Sequence, residues 1–296
     1  MPFIIERKID LTILKVEKES NIDYIKQKIK ALSNEVDIID IINPTKEIRK
    51  SFNDFYYRPL KISYIMKTPS SLDDFLTSLK RNRRKRILKC FRECEKHGIT
   101  IKKEKILSKE NFDTFFEIYK NNMEEKERGI VILERDWYNK RKDIACGVFA
   151  VKDKKIIGGI LLTKKKATVS FCFSSADKAY FDIGINDFLN VNAIEFTIEL
   201  GYKYIIRGQD TNLYGHHLSP GLYLFKKSLG FCIQPRKKQG FALTKIVNFD
   251  KFGDVIFFIS TKDNKVEGNL FIKDKDINTE DYNADFLEKL NIVHIK

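Results

Sequence analysis

One short segment, residues 208–231, carries the side chains best suited to chemistry. It reads GQDTNLYGHHLSPGLYLFKKSLGF and contains a carboxylate, two imidazoles, two phenols and two ammonium groups. Groups of these types can take up a proton, donate one, or neutralise a negative charge that develops during a reaction. The segment therefore predicts a site of proton transfer, and its candidate residues are Asp210, Tyr214, His216, His217, Tyr223, Lys226 and Lys227.

The base of such a site is expected among Asp210, His216 and His217. Asp210 is predicted to lie in a loop just past a strand end, where polar side chains are free to react. The two histidines precede the last predicted helix, whose dipole disfavours imidazolium and keeps the ring available as a base. Asp210 either orients one imidazole or binds an ammonium group. Simple exposure of the histidines and a core position for Tyr223 stay open as alternatives.

A second feature is the run LKRNRRKRILKC at residues 79–90, with seven cations in ten positions and no acid among them. On a helix that turns about 100° per residue, Arg83 and Arg86 share the apolar face of Leu79 and Ile87. A buried guanidinium needs a carboxylate, a phosphate or a wet cleft, since it keeps its proton. Arg83 and Arg86 therefore either form salt bridges with core acids or bind an anionic substrate, and the outward cations form a solvated face or an anion-binding surface.

Composition limits the classes of protein to which the chain can belong. Its 296 residues are 43% hydrophobic and 12% aromatic, with a formal net charge of +14, which is typical of a basic globular protein. No apolar run reaches the ~20 residues that span a bilayer, and the charged start is unlike a secretory signal. The five cysteines are expected to be reduced packing residues in a cytoplasmic protein. No spacing of ligands predicts a metal site.

Strands and helices are predicted to alternate along the chain. The predicted strands are 10–16, 36–41, 61–67, 99–106, 145–152, 156–163, 167–175, 203–208, 254–260 and 266–272. The predicted helices are 22–32, 72–97, 108–122, 134–142, 184–200 and 219–230.

The order of these elements across residues 99–246 resembles the GNAT acyltransferase fold. Two segments resemble parts of GNAT-like families that act on envelope and exopolysaccharide precursors: SLKRNRRKRILKCFRECEKHGITI and IEFTIELGYKYIIRGQD. The word GLYLFKKSLGF resembles the Phe-Lys-x-x-x-Gly-Phe ending of the Fem peptidyltransferases, which use aminoacyl-tRNA. The resemblance covers roughly residues 70–246. It implies a mixed α/β fold with mainly antiparallel sheets and two GNAT-like lobes: a degenerate lobe at 1–97, a second lobe at 98–246, and an extension at 247–296.

The sequence departs from ordinary GNAT enzymes at the start of the central helix. Those enzymes hold the coenzyme A pyrophosphate there, on a Gln/Arg-x-x-Gly-x-Gly/Ala loop whose backbone amides bind the anion. This chain reads KAYFDIGINDFL, with only Gly184 and with the acids Asp182 and Asp187. Acyl-CoA bound in another way and aminoacyl-tRNA both stay open as the donor, and no tightly bound cofactor is expected.

The resemblance implies an N-acyltransferase that modifies an amine of a small, polysaccharide or cell-envelope precursor, with an acceptor expected to be anionic and tRNA a possible partner. It also implies roles for Tyr223 as general acid and for Lys226 and Lys227 in neutralising a developing negative charge. Tyr214 can donate a proton as well and is expected to contact the substrate. The alternative is a non-catalytic, basic RNA-binding protein on a GNAT-like scaffold. No recognisable nucleic-acid-binding module supports that alternative beyond charge.

Overall fold

A computed structural model describes residues 2–263, 265–273 and 276–295 of the chain. Positions 274 and 275, at the start of an acidic segment of the predicted C-terminal extension, lie outside the described residues. The described strands, numbered in chain order, are β1 Phe3–Lys8, β2 Leu11–Val16, β3 Ile38–Ile42, β4 Tyr56–Pro59, β5 Lys61–Lys67, β6 Thr100–Glu104, β7 Ala145–Lys152, β8 Lys155–Lys165, β9 Thr168–Ala176, β10 Tyr204–Thr211, β11 Cys232–Pro235, β12 Phe241–Ile246, β13 Val255–Lys262, β14 Lys265–Ile272 and β15 Lys289–His294. The described α-helices are α1 Ile22–Leu32, α2 Lys46–Ser51, α3 Leu72–Ser78, α4 Arg81–Lys96, α5 Lys109–Glu124, α6 Ile185–Glu199 and α7 Pro220–Ser228.

The single helix expected over residues 72–97 is wrong, because the chain forms two helices, α3 and α4, with a break between them. Leu79 and Lys80 have extended backbone at the break, with ψ angles of 149° and 139°. The Ser78 hydroxyl donates to the Phe75 carbonyl at 2.7 Å, which satisfies one carbonyl that the ended helix leaves over. The change of direction also lets Leu79 bury its side chain in the core.

The helix expected at residues 134–142 is also wrong, since only a 3₁₀ turn forms there, at Arg135–Trp137. Trp137 is buried and stacks on Phe112 with ring centroids 5.9 Å apart. Tyr138 packs on the same Phe112 ring at 5.4 Å. Two adjacent aromatic residues on one ring need a tight turn, because neighbours on an α-helix point about 100° apart.

The chain divides into two compact units. The first comprises residues 1–63, 209–227 and 233–296, and the second comprises residues 64–208 and 228–232. The lobes at 1–97, 98–246 and 247–296 stay a prediction. Each compact unit is built from segments that are far apart in sequence, and in the first unit the last part of the chain pairs with the first part.

The first unit holds a five-stranded sheet in the order β1-β2-β3-β12-β4 and a three-stranded sheet in the order β13-β14-β15. Strand β12 lies between β3 and β4 and runs antiparallel to both, so Thr244 pairs with Asp40 on one side and Tyr56 on the other. Four elements of this unit, β1, α2, β4 and β15, were not predicted from the sequence. These elements are short, and charged residues occupy much of β1 and α2.

The second unit contains most of a seven-stranded sheet in the order β11-β5-β10-β9-β8-β7-β6. Strands β7 to β9 lie at three of the predicted strand positions and form an antiparallel meander, to which β6 adds antiparallel on β7 and β10 adds parallel on β9. The prediction of a mixed α/β fold with mainly antiparallel sheets is confirmed. Helix α6 is buried almost all round, as its apolar sequence predicts.

All five cysteines are free thiols, and three of them are buried. Burial raises the pKa of Cys94 to about 12 and that of Cys146 to about 11, so both stay protonated and pack as small apolar groups. Each helix in the described part of the chain is too short or too polar to cross a bilayer.

Candidate functional site

In the first unit, three of the predicted residues form one buried polar cluster. The Lys226 ammonium donates to both carboxylate oxygens of Asp210, at 2.7 Å to Oδ1 and 2.6 Å to Oδ2. The Tyr214 hydroxyl donates to Asp210 Oδ2 at 2.8 Å. The side chains of Lys226 and Asp210 are only 5% and 9% exposed. Buried charges of opposite sign at this distance form a charge-assisted pair whose geometry is tightly held.

Two elements position this cluster. Asp210 lies inside β10, which continues to Thr211, so the expectation that Asp210 sits in a loop is wrong. Helix α7 begins at Pro220, as predicted, and the Ser219 side chain accepts the Gly221 amide at 3.1 Å. Lys226 lies on the inner face of this helix and is buried.

The chain that follows Asp210 is held by the fully buried side chain of Asn212. Its amide donates to the Pro59 carbonyl at 2.8 Å and to the Ile259 carbonyl at 2.6 Å, and it accepts the Ile259 amide at 2.8 Å. Arg58, which is paired with Asp40, donates to the Asn212 carbonyl at 3.2 Å. Because every polar atom of the Asn212 side chain is satisfied, the segment after Asp210 has one defined path.

The structure does not bring either histidine to Asp210. His216 Nε2 bonds to a carboxylate oxygen of Asp10, in the turn between β1 and β2. His217 Nε2 lies 3.0 Å from the Thr211 hydroxyl. Burial lowers the pKa of His217 to about 4, and the nearby Lys8 adds to the effect, so this ring is neutral at pH 7. Sequence reasoning missed Asp10, because nothing in the sequence signals a contact between residues 206 positions apart.

The other two candidates of this segment lie elsewhere in the first unit. The Tyr223 hydroxyl donates to the Tyr282 carbonyl at 2.9 Å, and the Tyr223 side chain is fully buried. Burial raises the pKa of Tyr223 well above its usual range. Because the hydroxyl of this buried phenol is already hydrogen-bonded to a backbone carbonyl, Tyr223 is better explained as a packing residue than as a proton donor. Lys227 donates to the Asp281 carbonyl at 2.6 Å, close to the protein surface.

In the second unit, Arg83 points inward with its side chain 10% exposed and is paired with an acid of helix α6. Its guanidinium donates to Asp187 in a bidentate arrangement, at 2.7 Å to Oδ2 and 2.5 Å to Oδ1. The inward orientation expected for Arg83 is confirmed. The same expectation for Arg86 is wrong, because its side chain is 72% exposed and its Nε lies 3.5 Å from Asp187 Oδ2. Arg86 is one residue before the buried Ile87, which turns it about 100° away from the core.

The start of α6 is closed by packing as well as by charge. Gly184 caps this helix with a φ angle of +83°, which favours glycine. A Cβ atom at Gly184 would lie 2.2 Å from the Cys90 sulfur, so helix α4 runs directly over the helix start. Asp187 occupies the first turn and holds Arg83. No glycine-rich loop leaves room there for a pyrophosphate.

One further feature of the second unit was missed from the sequence. The parallel pairing of β9 with β10 runs only from Thr168 and Tyr204 to Phe171 and Arg207, whereas β9 continues to Ala176. Among the described residues, the backbone of residues 172–175 therefore has no strand partner on that side. Such an edge offers alternating N–H and C=O groups to an extended ligand.

Comparison with known proteins now identifies the family. A family model of FemAB-like proteins, described as peptidoglycan biosynthesis/recognition, matches residues 17–179, more than half of the chain. The chain belongs to the FemAB-like family. Among solved structures, FemX is similar at 13% identity, with 81% of this chain and 82% of that chain covered and a TM-score of 0.50. L-PGS from Bacillus licheniformis is similar at 15% identity, with 83% and 81% covered and a TM-score of 0.43. Among curated proteins, no match was found.

Membership of the FemAB-like family confirms the resemblance drawn from the sequence, and the likeness to FemX confirms the two-lobed GNAT-like fold. The coarse prediction of an acyltransferase of the Fem type is confirmed with it. Within the described ranges, no group of three or more His, Cys, Asp or Glu side chains is arranged to hold a metal ion.

Proposed function

We propose that this FemAB-like protein is an aminoacyltransferase that takes its acyl group from aminoacyl-tRNA and passes it to an amine of a peptidoglycan precursor. The family description supports a role in peptidoglycan biosynthesis. The Fem-type ending at residues 221–231 supports the same class of donor. We place the reaction in the cytoplasm, where charged tRNA is made.

The observation that carries the choice of donor is the filled start of α6. An acyl-CoA enzyme of the GNAT type needs bare backbone amides there for the pyrophosphate. In this chain the Arg83–Asp187 pair and Cys90 occupy that position. Arg83, the cation nearest to this helix start, is already bound to Asp187 in a bidentate pair. It therefore does not offer its guanidinium to a pyrophosphate, and the Asp187 carboxylate stands where the anion would bind. A donor without a pyrophosphate fits this geometry better.

The reaction forms one bond and breaks one. The acceptor nitrogen attacks the carbonyl carbon of the aminoacyl ester, and the bond from that carbon to the ribose oxygen breaks. The amine loses one proton and the ribose oxygen gains one. A negative charge develops on the carbonyl oxygen in between, and a fixed cation in a dry site stabilises such a charge strongly.

We assign that stabilisation to Lys226, with Asp210 and Tyr214 as the residues that hold it. Both oxygens of the Asp210 carboxylate already accept hydrogen bonds, which makes Asp210 a weaker candidate base than the sequence suggested. His216 and His217 stay as the base candidates. The His216–Asp10 contact favours His216, because the carboxylate holds the imidazole ring in one orientation.

Among the remaining candidates, Arg86 is the one that stays accessible to a substrate, since Arg83 is bound to Asp187. Lys227 and Tyr223 are both bonded to backbone carbonyls, at Asp281 and Tyr282. We therefore keep Arg86 as a substrate contact and assign Tyr223 and Lys227 to the packing of α7.

A transfer screen tests the donor. The purified protein is incubated with UDP-linked and lipid-linked peptidoglycan precursors, once with tRNA charged with a labelled amino-acid mixture and once with labelled acetyl-CoA. We expect label on the precursor from charged tRNA alone. Transfer from acetyl-CoA would contradict the proposed donor. Tight tRNA binding without transfer to any precursor would favour the non-catalytic RNA-binding alternative.

Four variants then test the assigned roles: Lys226→Met, Asp210→Asn, His216→Ala and His217→Ala. Loss of an electrostatic stabiliser or a general base lowers turnover ~10²–10⁴-fold, so Lys226→Met and one histidine variant should fall in that range. Lys227→Met, on the same helix, is the matched control and should keep its turnover. Full turnover in Lys226→Met with an unchanged melting curve would reject the role of Lys226.

A further inference from the structure

The outward face of helix α4 carries a line of exposed cations. Arg81, Lys85, Lys89 and Arg92 are all exposed, and they fall within about 80° of one another around the helix. The line runs for about 16 Å along the helix axis at ~1.5 Å per residue. Helix positions i and i+4 lie ~5–6 Å apart, so the charges are close enough to reinforce one another.

These four cations form no ion pair with the described part of the protein. On α4 the described residues form ion pairs at Arg83, Arg86 and Lys96, with Asp187 and Glu93 as the partners. No described carboxylate comes within ion-pair distance of the four cations in the line. Glu93 is paired with Lys96, and Lys89 is a weaker electrostatic neighbour of the same carboxylate. Like charges on one helix face destabilise that helix, so a line of this length with so little compensation is better explained by an external polyanion than by stability.

A small pocket adjoins this line. It has a volume of about 300 Å³ and is lined by residues that include Phe91, Arg92, Glu95, Thr100 and Phe188. Arg92 belongs both to the pocket and to the line of cations. The Phe91 and Phe188 rings meet edge to face with centroids 4.9 Å apart, so the pocket presents an aromatic surface. Glu95 and Thr100 supply polar groups at its rim.

An aromatic surface next to a track of cations matches the chemistry of single-stranded nucleic acid. Phosphates bind the cations, and an unpaired base stacks on an aromatic ring. A phosphate-binding face alone would suit a duplex or an anionic membrane equally well. The pocket separates these possibilities, because neither a paired base nor a lipid headgroup offers a flat apolar ring to fill it.

We propose that the outward face of α4 and the adjoining Phe91–Phe188 pocket bind the single-stranded 3′ end of a tRNA, with phosphates on Arg81, Lys85, Lys89 and Arg92 and one base in the pocket. The inference rests on the proposed function, since this RNA is the proposed donor. It adds the surface that recognises the donor and the part of the donor that is recognised.

Binding of deacylated tRNA, measured by fluorescence anisotropy over a range of salt concentrations, tests the line of cations. A triple variant that replaces three of its members by glutamine should bind about 10- to 100-fold more weakly at low salt and lower the salt slope of log K by about 2. A control triple variant on exposed lysines of the same unit changes the net charge equally and should bind like the wild type. The test variant is Arg81→Gln, Lys85→Gln and Lys89→Gln, and the control is Lys142→Gln, Lys154→Gln and Lys155→Gln.

The pocket is tested by combining a protein change with an RNA change. A tRNA acceptor-stem minihelix is compared with the same stem lacking its single-stranded 3′ end, on the wild type and on Phe91→Leu, which keeps an apolar side chain but removes the ring. In the wild type, removing the 3′ end should weaken binding ~5- to 150-fold, the range measured for stacked bases. In Phe91→Leu the same removal should weaken binding by a clearly smaller factor, because the phosphate contacts of the 3′ end are still lost but the stacking contact is already absent.

Several results would overturn the proposal. Equal binding by the two triple variants would mean that the net charge attracts RNA without a surface. Equal loss on removing the 3′ end in the wild type and Phe91→Leu would reject the pocket. If the test variant lost binding to vesicles of phosphatidylglycerol and kept its tRNA binding intact, the face would be assigned to a membrane. Failure of the proposed function would give a different result: the wild type would bind tRNA through α4 but transfer no amino acid.

Discussion

Replacing Lys226 by Met gives the sharpest test of how the first unit is held together and how it works. The side chain of Lys226 is 5% exposed, and its ammonium makes contacts of 2.6 and 2.7 Å with the Asp210 carboxylate. Methionine fills a similar volume without the charge. The variant leaves the buried Asp210 carboxyl without its cation, with the Tyr214 hydroxyl as a remaining donor at 2.8 Å.

The expected loss follows from this geometry. Removing one partner of a buried ion pair destabilises a protein by ~3–5 kcal/mol, because the other charge is left without compensation. Lys227→Met, the neighbouring lysine on the same helix, breaks a single bond to a backbone carbonyl near the surface and should cost about 1 kcal/mol or less. The difference in the free energy of unfolding between the two variants gives the contribution of the buried Lys226–Asp210 pair, apart from the general effect of losing a lysine.

A second change separates stability from chemistry. In the Lys226→Met background, Asp210→Asn removes the stranded charge and should recover about 2 kcal/mol or more of the free energy of unfolding. Turnover should not recover, because the stabilising ammonium is absent from both variants. A residue that served stability alone would regain activity together with stability.

Urea unfolding followed by far-UV circular dichroism measures these losses, since the single tryptophan, Trp137, belongs to the second unit. Turnover with charged tRNA is measured on the same preparations. A loss below about 1 kcal/mol for Lys226→Met, or additive effects in the double variant, would refute a coupled buried pair. Recovery of turnover in the double variant would refute the role of Lys226 in catalysis.

Two further predictions concern the second unit and the histidines. Arg83→Ala leaves the buried carboxylate of Asp187 without its partner and should lower the free energy of unfolding by ~3 kcal/mol, measured by Trp137 fluorescence. Arg86→Ala removes a side chain that is 72% exposed and should change the free energy of unfolding by about 0.5 kcal/mol or less. Equal losses in the two variants would contradict the difference in burial. The pKa of His217 is about 4 in the folded protein against an ordinary value of 6.5, so the unfolded chain binds more protons between these values and stability should fall as pH is lowered from 6.5 to 4. His217→Gln should lack this part of the pH dependence, and an unchanged curve would show that the ring is not buried as a neutral base.

From the sequence by itself, most strands of the meander, helix α5, the start of α7 and the inward orientation of Arg83 could be predicted. Strands β6 to β9, helix α5 and the opening of α7 at Pro220 follow from local patterns: short apolar runs separated by turns in the strands, an aromatic face on α5, and a serine before proline. These signals are read within one turn or one strand, so no distant contact is needed to recognise them. The inward orientation of Arg83 was predictable for the same reason, since helical spacing alone puts it beside Ile87.

Tertiary structure alone decided where the charged side chains find their partners. Asp10 lies 206 positions from His216, and Asp187 lies 104 positions from Arg83, so neither pair leaves a local trace in the sequence. The break between α3 and α4 also escaped local reading, because no glycine or proline marks Leu79 and Lys80. The chain turns there because Leu79 gains burial in the core, and burial depends on what the rest of the unit brings to that place.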